Sequence, residues 1–149
     1  RYKRLYCNTA LRSEINKIVF TLKRAFPFID ENAAINSKQR ALLGELQQLL
    51  NYIEDNYNDK ITLNQAAEMM HFSPWYFSKM FKKLTGKGFV TYLNTVRVQK
   101  AMGMIKDTSQ RFIDISMQCG FENLRTFNRV FKQQTGTTPG AIRIANNTD

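Results

Sequence analysis

The sequence predicts an all-α protein, and three observations support this prediction. Apolar residues recur at helical spacings of three and four along most of the chain, and no long stretch alternates apolar and polar residues. Residues that favour helix ends, such as Ser-Pro before a pattern and Gly after it, lie at the expected places. A ten-residue segment at 77–86 returns at 127–136, with a register difference of 50 residues. We therefore expect two copies of a helix-turn-helix unit joined by one long helix.

Two helices are predicted ahead of the repeated segments. The first follows an apolar stripe over 11–26 and ends at Pro27, and the second covers about 42–57. Five apolar residues of the second helix recur at spacings of three and four, namely Leu43, Leu46, Leu50, Ile53 and Tyr57. Such spacing suits a seam with another helix. The alternative is that helix 11–26 folds back on helix 42–57 or on the rest of the chain.

Each predicted unit consists of a short helix, a tight turn and a longer helix. In the first unit Thr62 can cap the short helix, and Ser73-Pro74 begins the longer one. In the second unit the turn contains Gly120. The short helices match at an offset of 49 residues and the longer helices at 50, so the second turn has one extra residue.

A long helix over about 89–106 is predicted to join the two units. Its apolar side carries Phe89, Tyr92, Leu93, Val96 and Ile105. In the second unit the longer helix covers about 123–134, and Thr138-Pro139 begins a last short helix. The joining helix would act as the spacer that sets the distance between the two units.

The longer helix of each unit has an apolar face and a cationic face when its residues are placed at 100° intervals. The apolar faces comprise Phe77, Met80, Phe81 and Leu84 in the first copy and Phe127, Val130 and Phe131 in the second. The opposite faces comprise Trp75, Ser78, Lys79 and Lys82 in the first copy and Arg125, Asn128, Arg129 and Lys132 in the second. A helix divided in this way can pack on a core and present donors to the bases and phosphates of a major groove. The alternative for the lysines is a solvated face, and the alternative for Trp75 is burial in the core.

The charge of the chain favours a nucleic-acid partner. The 149 residues have a formal net charge of +10. Residues 59–149 contain 13 Lys and Arg residues but only 6 Asp and Glu residues, so most of the excess lies with the repeated units. A solvated basic surface is the alternative interpretation of the charge alone.

Cysteine usage and hydropathy bear on the compartment. Cys7 and Cys119 are the only cysteines and lie far apart in sequence, so a disulfide framework is not expected, and Cys119 falls at an apolar helix position. No apolar run approaches the roughly 20 residues of a membrane span, and no signal-peptide pattern occurs. These features predict a reducing, cytoplasmic location and no membrane partner.

The residues do not predict an enzyme. His71 is the only histidine and lies in a turn. The sequence contains no Cys/His cluster with metal-ligand spacing, no glycine-rich phosphate loop and no nucleophile motif. We therefore expect no catalytic site, no metal and no cofactor.

Motifs spread over residues from about 46 to 143 match a known family. In the first unit and the joining helix they are Ser73-Pro74, Tyr76-Phe77-Ser78-Lys79, Phe81-Lys82-Lys83, Thr85-Gly86, Tyr92-Leu93, Arg97 and Ala101. In the second unit they are Gly120-Phe121, Phe127, Arg129, Phe131-Lys132, Gly136, Thr138-Pro139 and Arg143. Through these residues the chain resembles the AraC/XylS family of bacterial transcription regulators. The resemblance implies a seven-helix, DNA-binding domain with two helix-turn-helix units, here preceded by one or two extra helices.

The sequence departs from the family pattern at three positions that bear on packing. His71 stands where Gly is common, Ser116 replaces a usual Ala, and Ile142 replaces a usual Tyr. None of these departures removes an expected DNA contact.

The resemblance also implies which residues contact DNA. The base-reading positions correspond to Trp75, Tyr76, Ser78 and Lys79 in the first unit and to Leu124, Arg125, Thr126, Asn128 and Arg129 in the second. We expect Lys82, Lys83 and Lys132 to bind phosphates, because a lysine acts mostly as a point charge. Leu124 cannot hydrogen-bond a base, so any readout there would be apolar.

The sequence therefore predicts a transcription regulator that binds a specific site on double-stranded DNA through two recognition helices in successive major-groove segments. By resemblance it is an activator that contacts RNA polymerase, and its DNA-binding domain is residues 46–149. Residues 1–45 would be a helical remnant or linker of an N-terminal effector or dimerisation domain, whose helices could pair two copies. The alternatives are a non-specific nucleic-acid-binding protein and a helical protein-interaction module.

Overall fold

The computed structural model describes residues 37–107 and 109–146, and these residues form seven helices and no strand. In chain order the helices are α1 (Ser37–Asp55), α2 (Leu63–Met69), α3 (Pro74–Thr85), α4 (Phe89–Asp107), α5 (Phe112–Gln118), α6 (Leu124–Thr135) and α7 (Pro139–Asn146). The predicted all-α fold, with two helix-turn-helix units joined by α4, is confirmed. Helix α1 begins earlier than predicted, and the expected domain start at residue 46 lies inside it. The helix predicted at 11–26 lies outside the described residues.

Side-chain caps begin α2 and α3 where the sequence predicts them, and a further cap at Asn123, which was expected inside the helix, begins α6. Thr62 forms a reciprocal capping box at the start of α2. The Ser73 hydroxyl accepts the Tyr76 N–H at 3.4 Å at the start of α3, and Pro74 occupies its first turn. The Asn123 side-chain oxygen accepts the Thr126 N–H at 2.8 Å at the start of α6. Each cap satisfies a backbone donor that has no partner within its helix.

The turns of the two units use the same backbone conformation with different residues. The chain leaves α2 through His71 at φ 55° and leaves α5 through Gly120 at φ 78°. One residue lies between His71 and the cap Ser73, whereas two lie between Gly120 and the cap Asn123. The predicted extra residue in the second turn is confirmed. His71 adopts a left-handed conformation that costs little for glycine but strains other residues.

Helix α4 carries two separate hydrophobic cores along its length. The first core contains α4 residues up to Val96, together with α1, α2 and α3. The second core begins at Val98 and includes α5 and α6, with Ile142 of α7 packed against it. Tyr57, in the loop after α1, packs against both cores. Each unit therefore has its own core, and α4 is the element that both share.

The five apolar residues predicted as a helix seam pack within their own chain. Leu46, Leu50 and Ile53 are buried in the first core, and Leu43 and Tyr57 are partly buried against it. The spacing of the first four reflects the core-facing stripe of α1, because a helix packed on a globular core needs the same periodicity as one in a coiled coil. Tyr57 lies in the loop beyond the end of α1. These residues do not form a free seam for a second copy.

Cys119 is a core residue, as its position predicted. Its side chain is fully buried, and its Sγ lies 3.8 Å from Met104 Sδ. Burial raises the pKa of the thiol to about 11, so the thiol stays protonated near neutral pH.

Helix α7 closes the second unit. The Arg143 Nη2 donates to the Gln110 carbonyl at 2.7 Å, and its guanidinium lies 4.0 Å from the centre of the Phe112 ring. In the two stretches that the structure describes, no helix is both long enough and apolar enough to cross a membrane.

Replacing His71 with glycine should stabilise the fold. A non-glycine residue in the left-handed region costs roughly 1–2 kcal/mol, so we expect His71→Gly to raise the free energy of unfolding by about 1 kcal/mol. Urea titration followed by circular dichroism measures this change. His71→Ala is the control, because it removes the imidazole but keeps the strain. A stabilised alanine variant, or a glycine variant no more stable than the parent, would contradict the strain argument.

Candidate nucleic-acid interface

Helix α3 buries its predicted apolar face and exposes its predicted cationic face. The buried residues are Phe77, Met80, Phe81 and Leu84. The exposed residues are Trp75, Tyr76, Ser78, Lys79, Lys82 and Lys83. The partition predicted from the helical phase is therefore confirmed for the four buried residues and for Trp75, Ser78, Lys79 and Lys82.

Two aromatic rings stand at the exposed N-terminal end of α3. Trp75 is 68% exposed and Tyr76 is 49% exposed, so Trp75 is not a core residue. The Lys79 ammonium lies 4.0 Å from the centre of the Trp75 ring, and the Tyr76 ring contacts Phe72 edge to face at 4.8 Å. A cation over an exposed ring is worth about 0.5–1 kcal/mol. The helix thus presents exposed aromatic surface beside a cation.

Helix α6 is divided in the same way. Phe127, Val130 and Phe131 are buried. Arg125, Asn128, Arg129 and Lys132 are exposed, whereas Leu124 and Thr126 are half-buried. Leu124 packs against the second core. Leu124 therefore anchors the first turn of α6, and the four exposed residues form its outer surface.

The sequence repeat is also a structural repeat. The paired rings Phe77–Phe81 and Phe127–Phe131 have centroids 5.3 and 5.4 Å apart. Both helices end at a glycine in the left-handed conformation, and the preceding threonine hydroxyl donates to a carbonyl of the last turn at 2.8 Å in α3 and 2.9 Å in α6. Because the two helices share their caps, ends and buried faces, Lys79 matches Arg129 and Lys82 matches Lys132.

The exposed faces of α3 and α6 have a single sign of charge. Helix α3 contains three lysines, α6 contains two arginines and one lysine, and neither sequence includes an acidic residue. Such helices attract phosphates and carry no carboxylate that would repel them. Within the described part of the chain, no group of three or more His, Cys, Asp or Glu residues is arranged to hold a metal ion.

Sequence reasoning missed the structural role of Arg97 in α4. Its Nε donates to the Tyr57 carbonyl and its Nη2 to the Asp59 carbonyl, both at 2.8 Å, and its guanidinium lies 5.7 Å from the centre of the Phe121 ring. Burial lowers the pKa of Arg97, and the neighbouring Cys119 and Glu122 act in the opposite direction. The sequence feature that could have indicated this role is the position of Arg97 between two valines, Val96 and Val98, both of which the structure buries.

A cleft of about 610 Å³ separates the first unit from α6. Its polar lining includes Lys60, Asn94, Arg97, Thr126 and Arg129. Thr126 and Arg129 thus lie on the edge of α6 that faces the first unit. The cleft connects the exposed surface of α6 to the contact between the two units.

The sequence of the chain is similar to a known domain family and to known proteins. The sequence matches the family model of a helix-turn-helix domain over residues 66–144. Over 92 residues the chain is 36% identical to the bifunctional transcriptional activator/DNA repair enzyme AdaA of Bacillus subtilis, a match that covers 62% of this chain and 44% of AdaA. The chain therefore spans less than half the length of this relative.

Two solved structures share the fold. The C-terminal domain of the two-component response regulator yesN from Fusobacterium nucleatum matches with a TM-score of 0.63 and 34% identity, over 67% of this chain and 98% of that domain. The DNA-binding domain of the global transcriptional factor AdpA, solved in complex with a target DNA, matches with a TM-score of 0.66 over 70% of this chain and 94% of that domain. Its identity of 22% supports a shared fold and nothing further.

Proposed function

Since the chain belongs to the AraC/XylS family of helix-turn-helix regulators, we propose that it binds a specific site on double-stranded DNA and regulates transcription there. The observation that carries the proposal is the pair of equivalent helices, α3 and α6, each with a buried apolar face and an exposed cationic face. A non-specific binder needs cations, but it has no need of two matched helices with shared caps and ends.

In this proposal α3 and α6 enter two successive major-groove segments on one side of the duplex. Such segments lie about one helical turn, roughly 34 Å, apart. The base-reading residues are Trp75, Tyr76, Ser78 and Lys79 on α3 and Arg125, Thr126, Asn128 and Arg129 on α6. Leu124 also occupies a base-reading position, but it is half-buried against the second core and would offer a base only an apolar contact. Arginine can bond both acceptors of a guanine edge and asparagine can pair with adenine, whereas the exposed Trp75 ring suits a thymine methyl group.

The remaining exposed cations of α3 and α6 would position the protein on the DNA backbone. Lys82, Lys83 and Lys132 lie further from the N-terminal ends of their helices than the base-reading residues do. Their compact charges suit phosphate contact, which fixes register without reading sequence.

The wider roles of the protein follow from the family and remain part of the proposal. AdaA is named as a transcriptional activator, and we propose activation through RNA polymerase for this chain too. Residues 46–149 would be the DNA-binding domain, and residues 1–45 would connect it to an effector or dimerisation domain whose helices pair two copies. The chain would not be an enzyme, since the proposed site binds DNA without acting on it.

Selection of binding sites from random duplex DNA at near-physiological salt tests the proposed function. We expect an enriched motif with two informative blocks about one helical turn apart. A single block would contradict base reading by both helices. An absence of enrichment, together with binding to all sequences alike, would instead identify a non-specific nucleic-acid-binding protein.

Replacing Arg129 with alanine should relax specificity at one base position. The loss of a base contact should weaken binding to the selected site by roughly 1–3 kcal/mol and should leave binding to random DNA almost unchanged. Fluorescence anisotropy with the four possible bases at each position measures both effects. Equal weakening on every sequence would contradict base reading by Arg129.

Replacing Lys132 with alanine should reduce the salt dependence of binding. Removal of one phosphate contact should lower the magnitude of the slope of log affinity against log salt by about one, with the sequence preference intact. Lys82→Ala should behave in the same way. Lys106→Ala is the matched control, because Lys106 is exposed at the far end of α4. Equal slopes for the parent and Lys132→Ala would show that Lys132 is solvated in the complex.

A further inference from the structure

The two helix-turn-helix units touch away from the axis of α4 at a small junction. We define this junction as the loop residues Tyr57, Asn58 and Asp59, the side chain of Arg97, and the turn Gly120-Phe121. The loop follows α1 of the first unit, and the turn belongs to the second unit. Arg97 binds the loop through two backbone carbonyls and stacks against the turn through the Phe121 ring. One side chain therefore contacts both units at once.

The backbones at the junction are as close as a glycine permits. A Cβ atom added at Gly120 would lie 2.6 Å from the Asn58 carbonyl oxygen and 2.9 Å from the Asn58 Cα. Such distances lie well inside the contact distance of these atoms, so any larger residue must push the turn away from the loop. No such obstacle exists at Gly136, which has nearly the same φ of 77° and open space around its Cβ position.

We infer that Arg97 is a positioning residue that fixes the separation and relative orientation of α3 and α6, and thereby the spacing between the two blocks of the DNA site. The inference rests on the proposed function. Two bodies that share a small interface move relative to one another unless further contacts hold them. On α4 the two cores divide between Val96 and Val98, and Tyr57 packs against both of them away from that helix. Arg97 adds a directional connection, because its two hydrogen bonds fix the loop that contains Tyr57.

The position of Arg97 links this connection to the DNA-binding surface. Arg97 lines the same cleft as Thr126 and Arg129, which are proposed to read bases from α6. A shift of the second unit at the junction would therefore move α6 relative to α3. Because the major-groove segments of DNA are fixed in distance and rotation, such a shift changes which spacing the protein accepts.

The test compares two duplexes built from the site that the parent protein selects. The first keeps the selected spacing, and the second has one base pair inserted between the blocks, which moves one block by about 3.4 Å and rotates it by about 35°. The spacing penalty is the ratio of the two dissociation constants. For Arg97→Met, which keeps the stem but removes both donors, we expect the penalty to shrink about tenfold relative to the parent.

Gly120→Ala tests the junction from the other side and covers the case in which Arg97→Met fails to fold. It should also reduce the spacing penalty, because the added methyl group separates the turn from the loop. Gly136→Ala is its control, since it introduces the same left-handed strain without a clash and should keep the parent's penalty. Parent-like penalties in Arg97→Met and Gly120→Ala, measured where circular dichroism shows folded protein, would overturn the inference and leave the proposed function intact.

A result that contradicts the proposed function differs from one that contradicts only the role of Arg97. A parent protein that selects no block would overturn the proposed function, and one that selects a single block would overturn base reading by both helices. Either result would also overturn this inference, because no spacing would exist to be fixed. A parent that selects two blocks, with penalties that fall in Arg97→Met and Gly120→Ala but not in Gly136→Ala, supports both.

Discussion

The guanidinium of Arg97 links two units that also meet along α4, at Tyr57 and where Gly120 approaches Asn58. Each unit has its own core, and the cores divide at the turn of α4 in which Arg97 lies. The two hydrogen bonds to the loop after α1 are charge-assisted, and such bonds are about twice as strong as those between neutral groups. The geometry of the outer surface, with one cationic helix on each unit, depends on this link. Without it, each helix would keep its shape, but the relation between the helices would be less defined.

The two units repeat one helix, and in each copy the buried face and the exposed face have separate roles. In both α3 and α6 a buried pair of phenylalanines anchors the helix while arginines and lysines occupy the outer face. The buried phenylalanines cannot contact a ligand on the outer surface, and the exposed residues contribute little to the core. The outer residues can therefore differ between the units, as Lys79 and Arg129 do, without a change in fold. Two different outer faces on one scaffold allow two different sequences to be recognised by one chain.

Local features of the fold were predictable because they depend on neighbouring residues. The cap at Ser73, the buried phenylalanines and the exposure of Trp75 follow from helical phase and from residues within one turn. The left-handed turn at His71 was signalled by the glycine at the matching position of the second unit. Helical phase also predicted the exposed cationic faces of α3 and α6, whereas Tyr76, Leu124 and Thr126 were assigned to the DNA-contacting surface through the family resemblance.

Features that depend on distant parts of the chain were not predictable. The bonds of Arg97 reach carbonyls about 40 residues away, and backbone carbonyls have no sequence signature. The apolar stripe of α1 fitted both a seam between chains and a core within one chain, and only the packing of Leu50 and Ile53 distinguishes the two. The close approach of Gly120 to Asn58 could not be predicted from the neighbouring sequence either, because a glycine is expected at this turn with or without that contact.

The distance between the two units, measured in solution with and without DNA, tests the rigid pairing of α3 and α6 most directly. Spin labels attached to the thiols of Glu68→Cys and Gln133→Cys would report this distance. Both residues are exposed, and neither is proposed to contact DNA. Cys7 would be replaced by serine, and the buried Cys119 would stay protonated and unlabelled. A rigid pairing predicts one narrow distance distribution by double electron–electron resonance that DNA leaves unchanged. A broad distribution that narrows only when DNA binds would show that DNA, and not the junction, sets the geometry.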